Sequence, residues 1–212
     1  MKHIVFDIET IPQDEAKLLA LAPEFVAPAN LKDPAKIEAA IARKRADYLA
    51  DAALNWKTAE IVLIGAGDDT GIQSFTAGTE KELVGNFLTL LGDALADGVA
   101  VGGHNVKGFD LPMLVNRGRV HGLKIPMTLL WFWKGRPAWH ESVFDTLELL
   151  SFGRSFDGNG VEEVARVLGL PAKLGQGRDF PLMWRADRDG ALAYNRRDVE
   201  IEIEIARICG CI

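Results

Sequence analysis

Apolar and polar positions change period along the chain, and the changes mark out its elements. From Lys2 to Ile8 the run is that of a buried strand, which Pro12 ends because proline has no N–H for the ladder. Residues from about Asp14 to Trp56 read as a helical excursion. Asp33 followed by Pro34 supplies a cap and an early proline, and an Ala-rich, charged helix continues to about Leu54. Glu60 to Ala66 is a second strand, Asp68 to Gly71 a turn, and Ile72 to Phe75 a third strand that pairs back as a hairpin. Thr79 and Glu82 have capping-box spacing, and Leu83, Phe87, Leu90 and Leu91 repeat behind them at helical intervals. A short buried strand over Val99–Gly103, a helix over Asp110–Val120 and a strand over Ser142–Leu147 come next. Two helices, Val161–Leu168 and Asp187 to about Ile208, close the pattern. Three early strands followed by alternating helices and strands predict an α/β fold with a mixed central sheet flanked by helices. No repeat, linker or low-complexity tract interrupts it, so one domain is expected over residues 1–212, with 14–56 inserted between the first two strands.

Composition narrows the class. A hydrophobic share of 48% and a charged share of 25% in 212 residues suit one well-buried core. No run of eighteen apolar residues is present, and the N-terminus enters a strand bearing two acids, unlike a signal peptide. The expectation is a cytoplasmic protein without membrane contact. Cys209 and Cys211, the only cysteines, lack neighbouring histidines for a zinc site and are expected to lie in a frayed tail. The net charge of −6 sits awkwardly with a phosphate-rich partner, but acids that bind cations would reverse the local field.

The acids carry the chemistry. Asp7 and Glu9 sit two apart on the first strand, so both carboxylates face one side while Ile4, Phe6 and Ile8 face the other. Like charges that close raise each other's pKa and need a cation or solvent; paired oxygens suit a hard ion such as magnesium. A strand end emerging into water would explain the same pair. Asp110 follows a strand and opens a helix, either as a cap or as a ligand at the strand's carboxyl end. On the last helix Asp198, Ile201, Ile205 and Ile208 fall within roughly 40° of Tyr194, which puts Asp198 on a core-facing side. A buried carboxylate needs a metal, a cationic partner or a shifted pKa. Residues 199–205 also alternate as a strand would; the capped entry at Asp187 and the length of the run favour helix. On that choice Leu192, Val199 and Ile203 form a second stripe, expected to pack on the Asp33–Leu54 helix.

Phe6-Asp7-Ile8-Glu9-Thr10, Asn105-x-x-x-Phe109-Asp110 and Tyr194-x-x-x-Asp198 resemble, in order, the three exonuclease motifs of the DEDD (DnaQ-like) superfamily. The Tyr-x-x-x-Asp form resembles the DEDDy branch, and within it the stand-alone relatives of the family B DNA polymerase proofreading domain. The resemblance implies a ribonuclease H-like fold and a metal-dependent 3′–5′ exonuclease that releases 5′-mononucleotides from single-stranded DNA, or from RNA. It implies that Asp7, Glu9, Asp110 and Asp198 bind two divalent ions, Mg2+ or Mn2+, and that Tyr194 orients the attacking water. Thr10, His104, Asn105 and Phe109 would meet the terminal nucleotide. Two ions about 3.5–4 Å apart activate water and stabilise the leaving oxygen. Tyrosine, with a pKa near roughly 10, is a poor base at neutral pH. Any proofreading would be with a polymerase in trans.

Other features have two readings each. The Trp131–His140 stretch either stacks bases or packs tryptophans on the core. Arg117, Arg119, Lys124, Arg196 and Arg197 either track phosphates or are solvated. Asp145 either supports the metals or caps the segment after it, and His104 is either a substrate contact or a structural histidine. Gly153–Gly160 and Leu174–Gly177 match no phosphate loop and read as connections near the substrate entrance. The competing functions are a catalytically silent nucleic-acid-binding module of the same fold, and a ribonuclease or structure-specific nuclease. Retention of all four acids argues against the silent module. Placement of the second acid at Glu9, rather than on a helix, argues against an endonuclease.

Overall fold

The computed structural model describes residues 3–130, 142–152 and 160–212. Five strands form one mixed sheet in the order β3-β2-β1-β4-β5. β1 (His3–Pro12) is central, antiparallel to β2 (Ala59–Asp68) and parallel to β4 (Ala100–Gly103); β3 (Gly71–Phe75) and β5 (Val143–Asp145) are the edges. The period of two in β1 sorts its side chains onto two layers. Ile4, Phe6 and Ile8 face α3 (Glu80–Ala96) and α4 (Asp110–Val120), where the Phe6 and Phe87 rings meet edge to face at 5.4 Å. Val5 faces α9 (Arg188–Ile208) together with Ala100 and Phe144. The register slips between Glu9 and Thr10, a bulge of the kind that re-aims side chains beside functional sites.

α9 lies close on the sheet because Gly65 of β2 has no side chain: a Cβ there would sit 2.2 Å from Asn195 Oδ1. Its buried side holds Tyr194, Asp198, Ile201 and Ile205, the isoleucines packing on α7 (Val161–Val167); Ile208 is exposed instead. Val199 and Ile203 pack on the sheet through Val5 and Phe144, not on the excursion helix as the second stripe had suggested. That helix, α2 (Pro34–Ala50), buries no residue completely; Asp33 caps it, and a 3-10 turn at Ala52–Leu54 continues to β2. α1 (Glu15–Leu21) precedes it, and α5 (Met127–Leu130) follows α4.

The strand expected to reach Leu147 stops at Asp145, whose carboxylate accepts from the Leu147 and Glu148 N–H groups and starts α6 (Thr146–Ser151). α8 (Phe180–Ala186), with Phe180 stacked on Trp184 at 5.9 Å, had no periodic signal because it is only seven residues long. The C-terminal tail is not frayed: Cys209 and Cys211 are half-buried free thiols packed on the α7–α9 and α9–sheet clusters, and burial pushes the Cys211 thiol up to about 11. Among the described residues no helix is long and apolar enough to cross a membrane. The Trp131–His140 stretch and residues 153–159 lie outside the described residues.

Candidate active site

The acids of the first and third motifs meet where α9 crosses β1. One carboxylate oxygen each from Asp7, Glu9 and Asp198 lies within 4.8 Å of the other two. Glu9 and Asp198 are buried and Asp7 is half-buried. Three acids this close repel one another, and two neighbours offset part of the cost. Lys173, on the loop between α7 and α8, places Nζ 2.6 Å from Asp198 Oδ2 and 5.3 Å from the centre of the Tyr194 ring. Asn195 Nδ2 donates to Asp7 Oδ2 at 2.8 Å. The offset is incomplete. Asp198 Oδ1 is buried and without a hydrogen-bond partner. Burial and then the Asp198 charge raise Asp7 to about 7 against the opposing pull of Lys173 and Asn195. Glu9 is held well above its ordinary value by burial, Asp7 and Asp198, and Asp198 is raised mainly by burial despite the Lys173 ion pair. Burial resists the charge on Lys173, yet Asp198, Asp7 and Glu9 together keep its pKa above that of an ordinary lysine. Burial and the same acids push the Tyr194 phenol far up, so it stays protonated at any working pH.

Oxygen-only donors, crowded beyond what one lysine compensates and with one carboxylate oxygen orphaned, fit a hard divalent cation such as Mg2+ or Mn2+. Asp110 is not brought into the group of three. β4 ends at Gly103, leaving the far part of β1 without a partner on that side, and Asp110 Oδ1 accepts the Ile8 N–H at 3.0 Å in its place. Asp110 is nevertheless a buried neighbour of the cluster, its pKa raised by burial and then by the Asp7 charge. Glu202, one turn after Asp198, is buried on the same side. It accepts the His104 N–H at 3.2 Å, and burial, Asp7 and Asp110 raise its pKa.

A cavity of about 300 Å³ opens over these acids, with Pro12, Leu54, Phe109 and Pro181 as apolar wall and Lys173 and Tyr194 as polar wall. Of the residues expected at the substrate, Thr10 and Phe109 line it, though the Thr10 hydroxyl is spent on Ala53 O at 2.6 Å. His104 is turned inward, Nδ1 2.9 Å from Thr146 Oγ1, and Asn105 serves the turn, its φ of 63° being one that asparagine tolerates. Asp145 caps α6, and it also accepts the Asn105 and Lys107 N–H groups at 3.0 and 2.9 Å, fixing the loop that delivers Phe109 and Asp110. Arg117 is no phosphate tracker; it is buried against Glu80. Gly177, in a 3-10 turn at Gly177–Asp179, lies at the cavity as the Gly-rich connection suggested.

Lys173, Asn195 and Glu202 carry no sequence signal of their place here. Lys173 sits in a loop without periodicity, Asn195 abuts the motif without belonging to it, and Glu202 is indistinguishable from Glu200 and Glu204 until the sheet sets the helix's rotation. A larger cavity of about 640 Å³ lies between the Asp68–Ile72 turn and the outer side of α9. Its Arg197 is already paired with Glu200 and its Arg207 with Glu204 and Asp69, so the unmet electrostatic demand is at the smaller one.

A family described as "Predicted 3'-5' exonuclease related to the exonuclease domain of PolB" matches residues 52–201. Asp110, Tyr194 and Asp198 lie inside that span, and the fold brings Asp7 and Glu9 from outside it to the same point. Among solved structures, the family B DNA polymerase from the hyperthermophilic archaeon Pyrobaculum calidifontis superposes with a TM-score of 0.58 at 16% identity. The overlap covers 97% of this chain but 24% of the polymerase, and it shows the shared ribonuclease H-like fold. None of the curated proteins matches the chain. On the family match, which takes in most of its length, the chain belongs to the predicted 3′–5′ exonucleases related to the exonuclease domain of PolB.

Proposed function

We propose that the chain is a divalent-metal-dependent exonuclease that removes 5′-mononucleotides from the 3′ end of single-stranded nucleic acid, DNA in the first instance. The observation that carries this reading is the Asp7–Glu9–Asp198 cluster, with its orphaned Asp198 oxygen at the floor of a nucleotide-sized cavity. Asp7, Glu9 and Asp198 would hold the metal, with Asp110 the fourth acid in reach of Asp7's charge. Bound there, two divalent ions supply acidification of water and compensation of charge on the leaving oxygen.

The rest falls to the side chains. Asn195 fixes the rotamer of Asp7, and Lys173 fixes that of Asp198 while adding positive charge where the phosphodiester would sit. Tyr194, kept as a neutral phenol, orients a water by hydrogen bonding and takes no proton from it. Leu54 and Phe109 offer apolar surface to the terminal base. In the reaction the water oxygen bonds to phosphorus as its proton passes to solvent, the bond to the 3′-oxygen of the preceding nucleotide breaks, and that oxygen takes up a proton from solvent. A 5′-mononucleotide leaves, and the shortened strand keeps a 3′-hydroxyl.

The test is digestion of a 5′-labelled single-stranded DNA and its RNA copy with Mg2+ or Mn2+, beside a D198N control. The expected result is a ladder shortening from the 3′ end, abolished by chelator and by the substitution. Cleavage at internal positions, or cleavage that survives the chelator, would refute the reading. Binding without cleavage of either strand would favour the silent module instead.

A further inference from the structure

The excursion between β1 and β2 does not stand apart from the cavity. Its foot, the end of α2 and the 3-10 turn after it, contributes Ala50, Ala53 and Leu54 to the wall above Asp7 and Glu9. The foot is fastened there: Thr10 Oγ1 donates to Ala53 O at 2.6 Å, Thr58 Oγ1 to Ala52 O at 2.8 Å, and Arg117 to Trp56 O at 3.1 Å. α2 rises from that point, and its rotation is set by one inner side. Tyr48 donates to Leu18 O and stacks edge-on with Phe25, and Lys44 donates to Val26 O.

About 150° around the helix from that inner side, Lys36, Ala39, Arg43, Ala46 and Ala50 repeat at steps of three and four residues and share an arc of roughly 80°. All five are exposed, and Ala50, the last, is part of the cavity wall. The stripe carries two cations seven residues apart with alanine methyl groups between and after them, and Asp47 lies at its edge. Arg43 has one weak contact, to Asp47 at 3.9 Å, and both side chains are largely exposed (84% and 66%), so a phosphate can displace the carboxylate at little cost. Between residues 32 and 50 there are five Lys or Arg against three Asp or Glu, in a chain whose net charge is −6.

We propose that this face of α2 is a guide for the incoming strand, in which Lys36 and Arg43 hold backbone phosphates of single-stranded nucleic acid whose 3′ end lies in the cavity. The inference rests on the exonuclease reading of that cavity. It accounts for a local excess of positive charge on an acidic protein, and for alanines where a longer side chain would lift a strand off the helix. From Lys36 to Ala50 the stripe is about 21 Å long, the length of about six phosphates at the roughly 3.4 Å axial rise of a stacked strand.

The experiment compares the full chain with K36E/R43E and with the neutral K36Q/R43Q, after confirming equal helicity and melting temperature. Binding of 5′-fluorescein oligo(dT) of 20 and of 3 nucleotides is measured by anisotropy with Ca2+ between 50 and 200 mM KCl, and Mg2+-driven hydrolysis of both is followed. The expected result is about ten-fold weaker 20-mer binding by K36E/R43E and a smaller loss by K36Q/R43Q. The slope of log affinity against log salt should be shallower by about 1.4, with trimer hydrolysis unchanged. Equal 20-mer affinity and slope in all three proteins, or no 20-mer binding by the unmodified chain, would overturn the guide. Charge-dependent 20-mer binding by a chain that hydrolyses neither strand would uphold the guide and overturn the exonuclease reading.

Discussion

Buried acids at two places in this molecule have opposite electrostatic surroundings. Glu80 and Glu9 are equally buried, each 8% exposed. Around Glu80, burial alone would raise the pKa, but the Arg117 guanidinium, the Ile61 N–H and His121 outweigh it and hold the carboxylate below its ordinary value. Around Glu9, burial and the charges of Asp7 and Asp198 win, and Lys173 with Asn195 only moderates the result. The Glu80 site is therefore electrostatically closed and the Asp7–Glu9–Asp198 cluster is left open, although Glu80 and Glu9 have the same solvent exposure. The unmet demand at Asp7, Glu9 and Asp198 is what a divalent cation would satisfy.

Removing one acid from each cluster separates them most sharply. D7N is expected to lower the exonuclease rate on the order of 10³-fold or more by removing metal-held charge stabilisation. Without metal at pH 8 the same change should raise the melting temperature, because it relieves repulsion. E80Q should do the reverse: it leaves Arg117 buried without its anion, at a cost of about 3 kcal/mol, or roughly 6–12 °C in melting temperature for a chain of this size. The folded fraction should keep its kcat, since Glu80 is not at the cavity. Rates and thermal melts of the two variants side by side check both statements, and equal behaviour would erase the distinction.

Sequence alone reaches one cluster and not the other, for reasons visible in particular residues. Period-two placement of Asp7 and Glu9 and the helical spacing of Tyr194 and Asp198 are local properties that survive without tertiary information. The hairpin of the second and third strands, the mixed character of the sheet and the capping residues Asp33, Thr79 and Asp187 are legible for the same reason. The Glu80–Arg117–His121 set is not, because Glu80 is far in sequence from the other two and both Glu80 and Arg117 look like solvated helix charges. Lys173 and Asn195 are hidden likewise. The strand ending at Asp145 reads too long because the side chain that stops it does so by capping a helix the apolar pattern does not mark.

Smaller effects sharpen the comparison. N195A removes the amide that fixes Asp7 and should cost about 10–100-fold in activity, in the range of residues that orient metal ligands; measuring Mn2+ dependence alongside rate will show whether the loss is in metal affinity. Stability against pH tests the open cluster itself. Asp7 titrates at about 7 in the fold against an ordinary 3.8, so between those values the folded chain holds a proton that the unfolded chain has released. Stability without metal should be greatest near the acidic end of that window and fall as pH rises through about 7, by roughly 3 °C or more in melting temperature. Millimolar Mg2+ should cancel the fall. A metal-free melting temperature that rises across the same range would contradict the assignment of unmet charge to this cluster.

The most direct test of metal binding at the open cluster is Mn2+ titration of the full chain, read by electron paramagnetic resonance, in the unmodified protein, D7N, D198N and E80Q. Binding is expected in the unmodified chain and in E80Q, with loss or severe weakening in D7N and D198N. Undiminished Mn2+ binding in D7N and D198N, or none in the unmodified chain, would contradict the assignment.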